Sequence, residues 1–168
     1  RPRIGWSGSA DSVVDLKLLS EIFEDLHEEV DWIIIGKCPA ALHRYAHEVH
    51  DWKNFDRLPH KLAQLNLDLA IAPLTDNPTN RWAGNLQILK YGACGYPVIR
   101  SKLDSTTDKL PTALTNNNSK AWIDTIRMHL SEKDASRQLG QYFQTLVRNE
   151  WLLDNQALEV WKKSWLPA

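Results

Sequence analysis

The sequence predicts a doubly wound parallel α/β sheet. Three observations carry this: short apolar runs that read as strands buried on both faces, amphipathic helical stretches between them, and short connections throughout. Strand and helix alternate from the first residues to about Ser101, after which the chain turns polar and then helical.

Ile4–Trp6 is a short apolar strand that ends at Ser7-Gly8-Ser9. Leu16, Leu19, Ile22, Phe23 and Leu26 recur at helical spacing, which predicts an amphipathic helix over 12–28, with Ser12 and Asp15 as a capping pair at its start. Val30–Gly36 is a continuous apolar strand. Pro39 opens a second helix with Leu42, Tyr45 and Ala46 on one side, and a weak strand follows near Val49–Lys53. Pro59 then opens a short helix through Leu62 and Leu65. Asp68–Pro73 is the next buried strand, residues 80–93 a helix stopped by Gly95, and Tyr96–Ser101 another strand. Residues 102–119 are turn-rich, with one brief strand around Thr112–Thr115, and Asn116-Asn117-Asn118 read as a loop leading to a Ser119 cap. Two or three helices near 119–131, 133–149 and 150–165 finish the chain. Residues 1–168 therefore read as a single domain, with 119–168 its helical part.

Length and charge narrow the function. At 168 residues the chain can bury one sizeable core. Its 20 basic and 21 acidic residues leave a net charge of −1 with no block of either sign, so binding to nucleic acid or a membrane surface has no electrostatic support. Cys38 and Cys94 make neither a disulfide framework nor a metal cluster, which points to a reducing, cytoplasmic setting. No apolar run approaches the length of a membrane span, and no signal peptide is expected. The chain starts Arg1-Pro2-Arg3-Ile4 and runs straight into a strand without an initiator Met, as expected of an excised domain.

Several local patterns compete as sites. The turn Gly5-Trp6-Ser7-Gly8-Ser9 lacks the three-glycine dinucleotide fingerprint, and the second strand ends in Gly36-Lys37 without the acid that would hold an adenosine ribose. Gly8 and Ser9 either let backbone approach a ligand or simply make the turn. Acidic residues that would bind the metal of a phosphoacceptor receiver are absent after Trp6 and at Pro73. The loop Thr75-Asp76-Asn77-Pro78-Thr79-Asn80-Arg81 is the strongest candidate: Thr79 or Asn80 caps the following helix, and Arg81 adds positive charge beside its N–H groups. The plainer reading is a polar turn with an exposed arginine, but loops at the carboxyl ends of strands are where such sheets bind ligands. His43 and His47 stand one helical turn apart and read as a solvated face rather than a zinc site. Cys94 reads as packing. Of the eight tryptophans, Trp151, Trp161 and Trp165 join Leu158 in one terminal stripe, which either packs on the sheet or covers a partner surface.

Taken together, IGWSGSADSVVDL, LPHKLAQLNLDLAIAPLTDNPTNR, NLQILKYGACGYPVI and the closing NEWLLDNQALEVWKKSW resemble the C-terminal domain of GT-B fold glycosyltransferases of the group 1 type, over nearly the whole chain. The resemblance implies one Rossmann-like half of a GT-B fold that binds a nucleotide-sugar donor, with the diphosphate near the N-terminus of the helix after the fourth strand. On that implication Gly8, Ser9, Asp76, Asn77, Thr79, Asn80, Arg81, Asn85 and Lys90 form the nucleotide-sugar site. The nucleotide-sugar is a substrate, and neither a cofactor nor a metal is required. The acceptor belongs to an N-terminal domain of the same polypeptide. The reaction belongs to surface polysaccharide or glycoconjugate synthesis, in the cytoplasm or at the inner face of the membrane. The family commonly carries two glutamates eight positions apart around this helix; Trp82 and Lys90 stand there in this chain. A lysine only donates hydrogen bonds, so Lys90 cannot copy a ribose-binding carboxylate and suits a phosphate instead. The alternative is a non-catalytic module that keeps the fold and acts in protein interaction.

Overall fold

The computed structural model describes residues 1–51, 58–82, 85–104, 106, 109–152, 158–159 and 162–163. Its elements are β1 (Arg3–Gly8), α1 (Val13–Lys17), α2 (Ser20–Leu26), β2 (Asp31–Gly36), β3 (Ala46–His50), α3 (Leu58–Gln64), β4 (Leu69–Ala72), α4 (Pro78–Trp82), α5 (Leu86–Ala93), β5 (Val98–Ser101), β6 (Ala113–Thr115), α6 (Ser119–Ser131) and α7 (Lys133–Glu150). Among the described residues the strands form a 6-stranded sheet in the order β3-β2-β1-β4-β5-β6. Every pairing is parallel. The chain winds outward from β1 to one edge and then from β4 to the other, so the strand order reverses between β1 and β4.

Side chains alternate along each strand and so supply two cores. Trp6, Trp32, Ile34 and Ile71 face the layer of α1, α2 and α6, where they meet Leu16, Phe23 and Trp122. Phe23 stacks on Trp32 with ring centroids 4.0 Å apart. Ile33, Ile35, Ala70 and Val98 face the other layer, against Leu62 of α3, Ile88 and Tyr91 of α5, and Phe143 and Val147 of α7. The expected doubly wound sheet is present, and both of its faces are covered.

Several local expectations are corrected. The helix expected over 12–28 breaks into α1 and α2. Leu18 and Leu19 bond back only three residues, to Asp15 and Leu16, and Ser20 Oγ donates to the Lys17 carbonyl at 2.8 Å. Ser12 precedes α1 without a side-chain cap, and Asp15 is used elsewhere. The helix expected after Pro39 shrinks to a 3₁₀ turn at Ala40–Leu42, because Ala46 already pairs with Trp32 in the sheet. His43 therefore lies in a turn and His47 in β3, not on one helical face. The weak strand expected at Val49–Lys53 is β3, placed three residues earlier (Ala46–His50).

The helix over 80–93 is likewise two helices, α4 and α5. Asn77 rather than Thr79 or Asn80 caps α4: Asn80 N–H donates to Asn77 Oδ1 at 2.8 Å. Asn118 rather than Ser119 caps α6, with Ala121 N–H donating to Asn118 Oδ1 at 2.9 Å. Trp151 is exposed at the end of α7. Trp161 and Trp165, which complete the expected stripe, and Trp52 lie outside the described residues.

Gly95 does stop α5, as expected, at φ +78°. The Tyr96 N–H returns to the Tyr91 carbonyl at 3.1 Å and the Gly95 N–H to Gly92 at 2.9 Å, the paired bonds of a Schellman ending.

Candidate functional site

The reversal of strand order opens the sheet. β1 and β4 pair only at Ile4↔Leu69 and Gly5↔Ala70, and then diverge. The Ser7 N–H, buried and without a β4 partner, donates instead to Tyr91 Oη at 2.7 Å. Ser7 Oγ donates to the same oxygen at 3.1 Å, and the Gln87 amide donates to the Ser7 carbonyl. One side of α5 thus replaces the missing strand neighbour and satisfies its backbone groups.

Beyond that point lies a cavity of about 330 Å³, between the carboxyl ends of β1 and β4. Such crevices are where open α/β sheets bind ligands. Gly8 and Ser9 form one wall, Asn80, Asn85 and Lys90 another, and Asp15 of α1 reaches the same space. A Cβ at Gly8 would lie 2.2 Å from a carbon of the Trp6 ring, so the glycine is needed for that contact as well as for the bare wall it presents.

The loop after β4 is tied down from both sides. On one side, Asp15 Oδ1 accepts from Thr75 N–H at 2.7 Å, Thr75 Oγ at 2.7 Å and Asn80 Nδ2 at 2.8 Å. On the other, Leu74 N–H donates to Ser101 Oγ at 2.8 Å, Ser101 Oγ to Asn117 Oδ1 at 2.6 Å, and Asn117 Nδ2 to the Leu74 carbonyl at 2.7 Å. The asparagine run expected to be a plain loop therefore clamps the β4 end through Asn117 and caps α6 through Asn118.

Electrostatics divide the expected residues into two groups. Gly8, Ser9, Asn80, Asn85 and Lys90 line the cavity together. Burial pushes the Lys90 ammonium below its ordinary pKa. Leu86, Gln87 and Ile88, the first turn of α5, line it too, and the Asn85 side chain does not cap them. Asp76, Asn77, Thr79 and Arg81 are not part of the lining. Arg81 forms a two-pronged pair with Asp76, Nε to Oδ1 at 2.7 Å and Nη2 to Oδ2 at 3.0 Å, with both side chains about half exposed. That pairing holds the Asp76 carboxyl below its usual range. Asn77 is the α4 cap and Thr79 is exposed on that helix. The Trp82 side chain lies outside the described residues.

Gln87 and Tyr91 are positions of this site with no expectation from the sequence, and Asp15 is expected only as a helix cap. The i,i+4 spacing of Gln87 and Tyr91 was the one available signal, since it puts two hydrogen-bonding side chains on one helical face. Burial drives the Cys94 thiol up to about 11, so it packs as an uncharged group. Among the described residues no three His, Cys, Asp or Glu side chains are grouped to hold a metal, and no helix is long and apolar enough to cross a membrane.

No protein-family model matches the sequence, and no curated protein matches it. Solved structures do. Anabaena HepE in complex with UDP and glucose superposes with a TM-score of 0.70 at 12% identity, covering 98% of this chain and 48% of that one. The catalytic domain of cholesterol-alpha-glucosyltransferase from Helicobacter pylori gives 0.62 at 14% identity, covering 88% of this chain and 98% of that one. A Listeria monocytogenes protein provisionally named as a UDP-N-acetylglucosamine 2-epimerase gives 0.56 at 13%, covering 98% and 45%. At such identities the likeness is one of fold, and the chain spans about half the length of HepE (48%).

Proposed function

We infer, from a chain that folds as one Rossmann-like half of the GT-B architecture, that its cavity binds a nucleoside diphosphate sugar, the donor from which a glycosyltransferase moves a sugar to an acceptor hydroxyl. One observation carries the reading: the uncapped first turn of α5 and the Lys90 side chain line the same crevice at the strand reversal. The UDP and glucose held by HepE, and the glucosyl transfer named for the Helicobacter protein, support the same ligand class.

In such a transfer the bond between the anomeric carbon and the diphosphate oxygen breaks. The acceptor oxygen bonds to that carbon and gives its proton to a base, and the diphosphate departs with additional negative charge. The N–H groups of Leu86, Gln87 and Ile88 and the Lys90 ammonium would stabilise that charge. Asn80 and Asn85 are placed to hold the ligand's neutral polar groups, with Gly8 and Ser9 as the backbone wall beside it. The acceptor and the base are assigned to an N-terminal domain of the same polypeptide, in cytoplasmic synthesis of a surface polysaccharide or glycoconjugate.

A second reading, a non-catalytic module, is favoured by the engagement of Arg81 with Asp76 and by the lack of acids at Trp82 and Lys90. Calorimetric titration with UDP, GDP, ADP and their glucose conjugates separates the two. The donor reading expects saturable binding of at least one. Lys90→Ala should weaken it about tenfold or more, since hydrogen bonds to charged groups contribute about 1.5–3 kcal/mol. Arg81→Ala should change it less than about twofold, because that exposed pair lies off the cavity. No heat with any nucleotide would leave the module reading standing.

A further inference from the structure

We propose that Asp15 is the hydroxyl-recognising residue of this cavity, its Oδ2 accepting a hydrogen bond from a sugar hydroxyl of the bound nucleotide, whether on the ribose or on the transferred sugar. The inference rests on the donor-binding reading and adds the group that distinguishes a polyol from a phosphate.

Asp15 is only 8% exposed, yet it lines the cavity. Its two oxygens are used unequally. Oδ1 accepts all three hydrogen bonds from the β4 loop, from the Thr75 N–H, the Thr75 hydroxyl and the Asn80 amide. No described residue donates to Oδ2. Oδ2 is not among the sealed, partnerless side-chain atoms, as the indole N–H groups of Trp6 and Trp32 are, and Asp15 itself stands on the cavity wall. A carboxylate withdrawn this far from water, with one oxygen bare, is stabilised by whatever donor enters.

The chemistry of that donor is restricted. A carboxylate only accepts hydrogen bonds, so it repels phosphate oxygens and suits hydroxyls. A lysine only donates, so Lys90 suits the phosphates. The two residues therefore sort the polar groups of a sugar nucleotide between them within one cavity. The carboxylate missing from positions 82 and 90 would thus be supplied from α1.

Asp15→Asn is the informative change. The amide keeps an acceptor oxygen for Thr75 and Asn80 and turns the free end from acceptor to donor. Affinities are measured by calorimetry for wild type and variant with three probe sets: UDP, GDP and ADP; their 2′,3′-dideoxy forms; and their glucose conjugates. Wild type should bind either the ribose form about tenfold more tightly than the dideoxy form, or the glucose conjugate about tenfold more tightly than the bare diphosphate. The first result assigns the ribose and the second the transferred sugar. The Asn variant should lose that preference, read as the ratio of its own two affinities, so that any general loosening of the Thr75 loop cancels. As a measurement that needs no variant, the 13C carboxyl resonance of Asp15 in the wild-type chain should move with the hydroxyl-bearing probe and not with its counterpart. Nucleotide binding with neither preference, or with a preference that survives in the variant alongside an unmoved resonance, overturns the role of Asp15 and leaves donor binding intact. Absence of binding to every probe overturns both.

Discussion

Tyr91 shows how much one side chain contributes to the crevice. Its hydroxyl accepts from the Ser7 N–H at 2.7 Å at a point where the sheet offers that amide no partner. Ser7 and Tyr91 are both buried, so water does not replace the bond, and burial also pushes the phenol above its usual pKa. Tyr91→Phe keeps the ring and strands the amide. We expect a loss of about 1–3 kcal/mol, read as a lower urea midpoint with an unchanged slope; an unchanged midpoint would show that the hydroxyl is dispensable. From the sequence alone Tyr91 carries no role beyond its helical position, and Asp15 reads as the capping partner of Ser12 at the start of a helix. Neither role could be read because each depends on a partner more than 50 residues away in the chain, at Ser7 and at Thr75. Asn80 was legible because it follows a strand end that the apolar pattern located, and Lys90 only through the family resemblance; the structure puts both on the cavity wall.

At the scale of elements, α7 packs directly on the backbone of the turn that ends α5. A Cβ at Gly140 would lie 2.2 Å from the Gly95 carbonyl oxygen and 2.9 Å from the Pro97 nitrogen. Both are backbone atoms, so no rotamer change relieves the overlap. Gly140→Ala gains roughly 1 kcal/mol of helix propensity but forces the helix off the turn, and overpacking of this kind costs about 1–3 kcal/mol or more. Contact with backbone puts this site at the costly end, so we expect a net loss of about 2 kcal/mol and a melting midpoint lower by about 4–8 °C. A midpoint that rises would mean that α7 is free to slide. The Gly95 stop was legible because a glycine after an apolar period is a local signal. The division of 80–93 into α4 and α5, and the loss of the helix after Pro39, were not. Tyr45 and Ala46 fit a helical stripe well enough, but pairing of Ala46 with Trp32 competes with local propensity and wins.

At the scale of the molecule, Arg3 links β1 to the β3 edge of the sheet, its guanidinium donating to Glu48 of β3 at 2.8 Å and to the Leu65 carbonyl just after α3 at 3.0 Å. Hydrogen bonds from Arg3 first and His50 second hold the Glu48 carboxyl at about 2, below its ordinary 4.5. A depressed carboxylate stabilises the fold above its unfolded value and loses that contribution as pH falls toward its folded value. Glu48→Gln should therefore be less stable than wild type at pH 6, with the gap closing between about 4.5 and 2. Urea denaturation at pH 6, 4 and 2.5 checks this, and a gap at pH 2.5 as large as that at pH 6 would assign the effect to packing. The alternation of strand and helix made the sheet legible, but the charge link did not show, because it joins β1 to a strand two places away. The brief pairing of β1 with β4 has a kinetic meaning as well. Ile4 meets Leu69 across 65 residues of chain, whereas β1–β2, β2–β3 and β4–β5 each close a shorter loop. The half built from β1, β2 and β3 and the half built from β4, β5 and β6 can each form from near neighbours, leaving the central seam as the slow closure. The crevice exists only once that seam has closed, so a ligand held there acts as a latch: it slows unfolding of the whole chain while hardly changing how fast either half assembles.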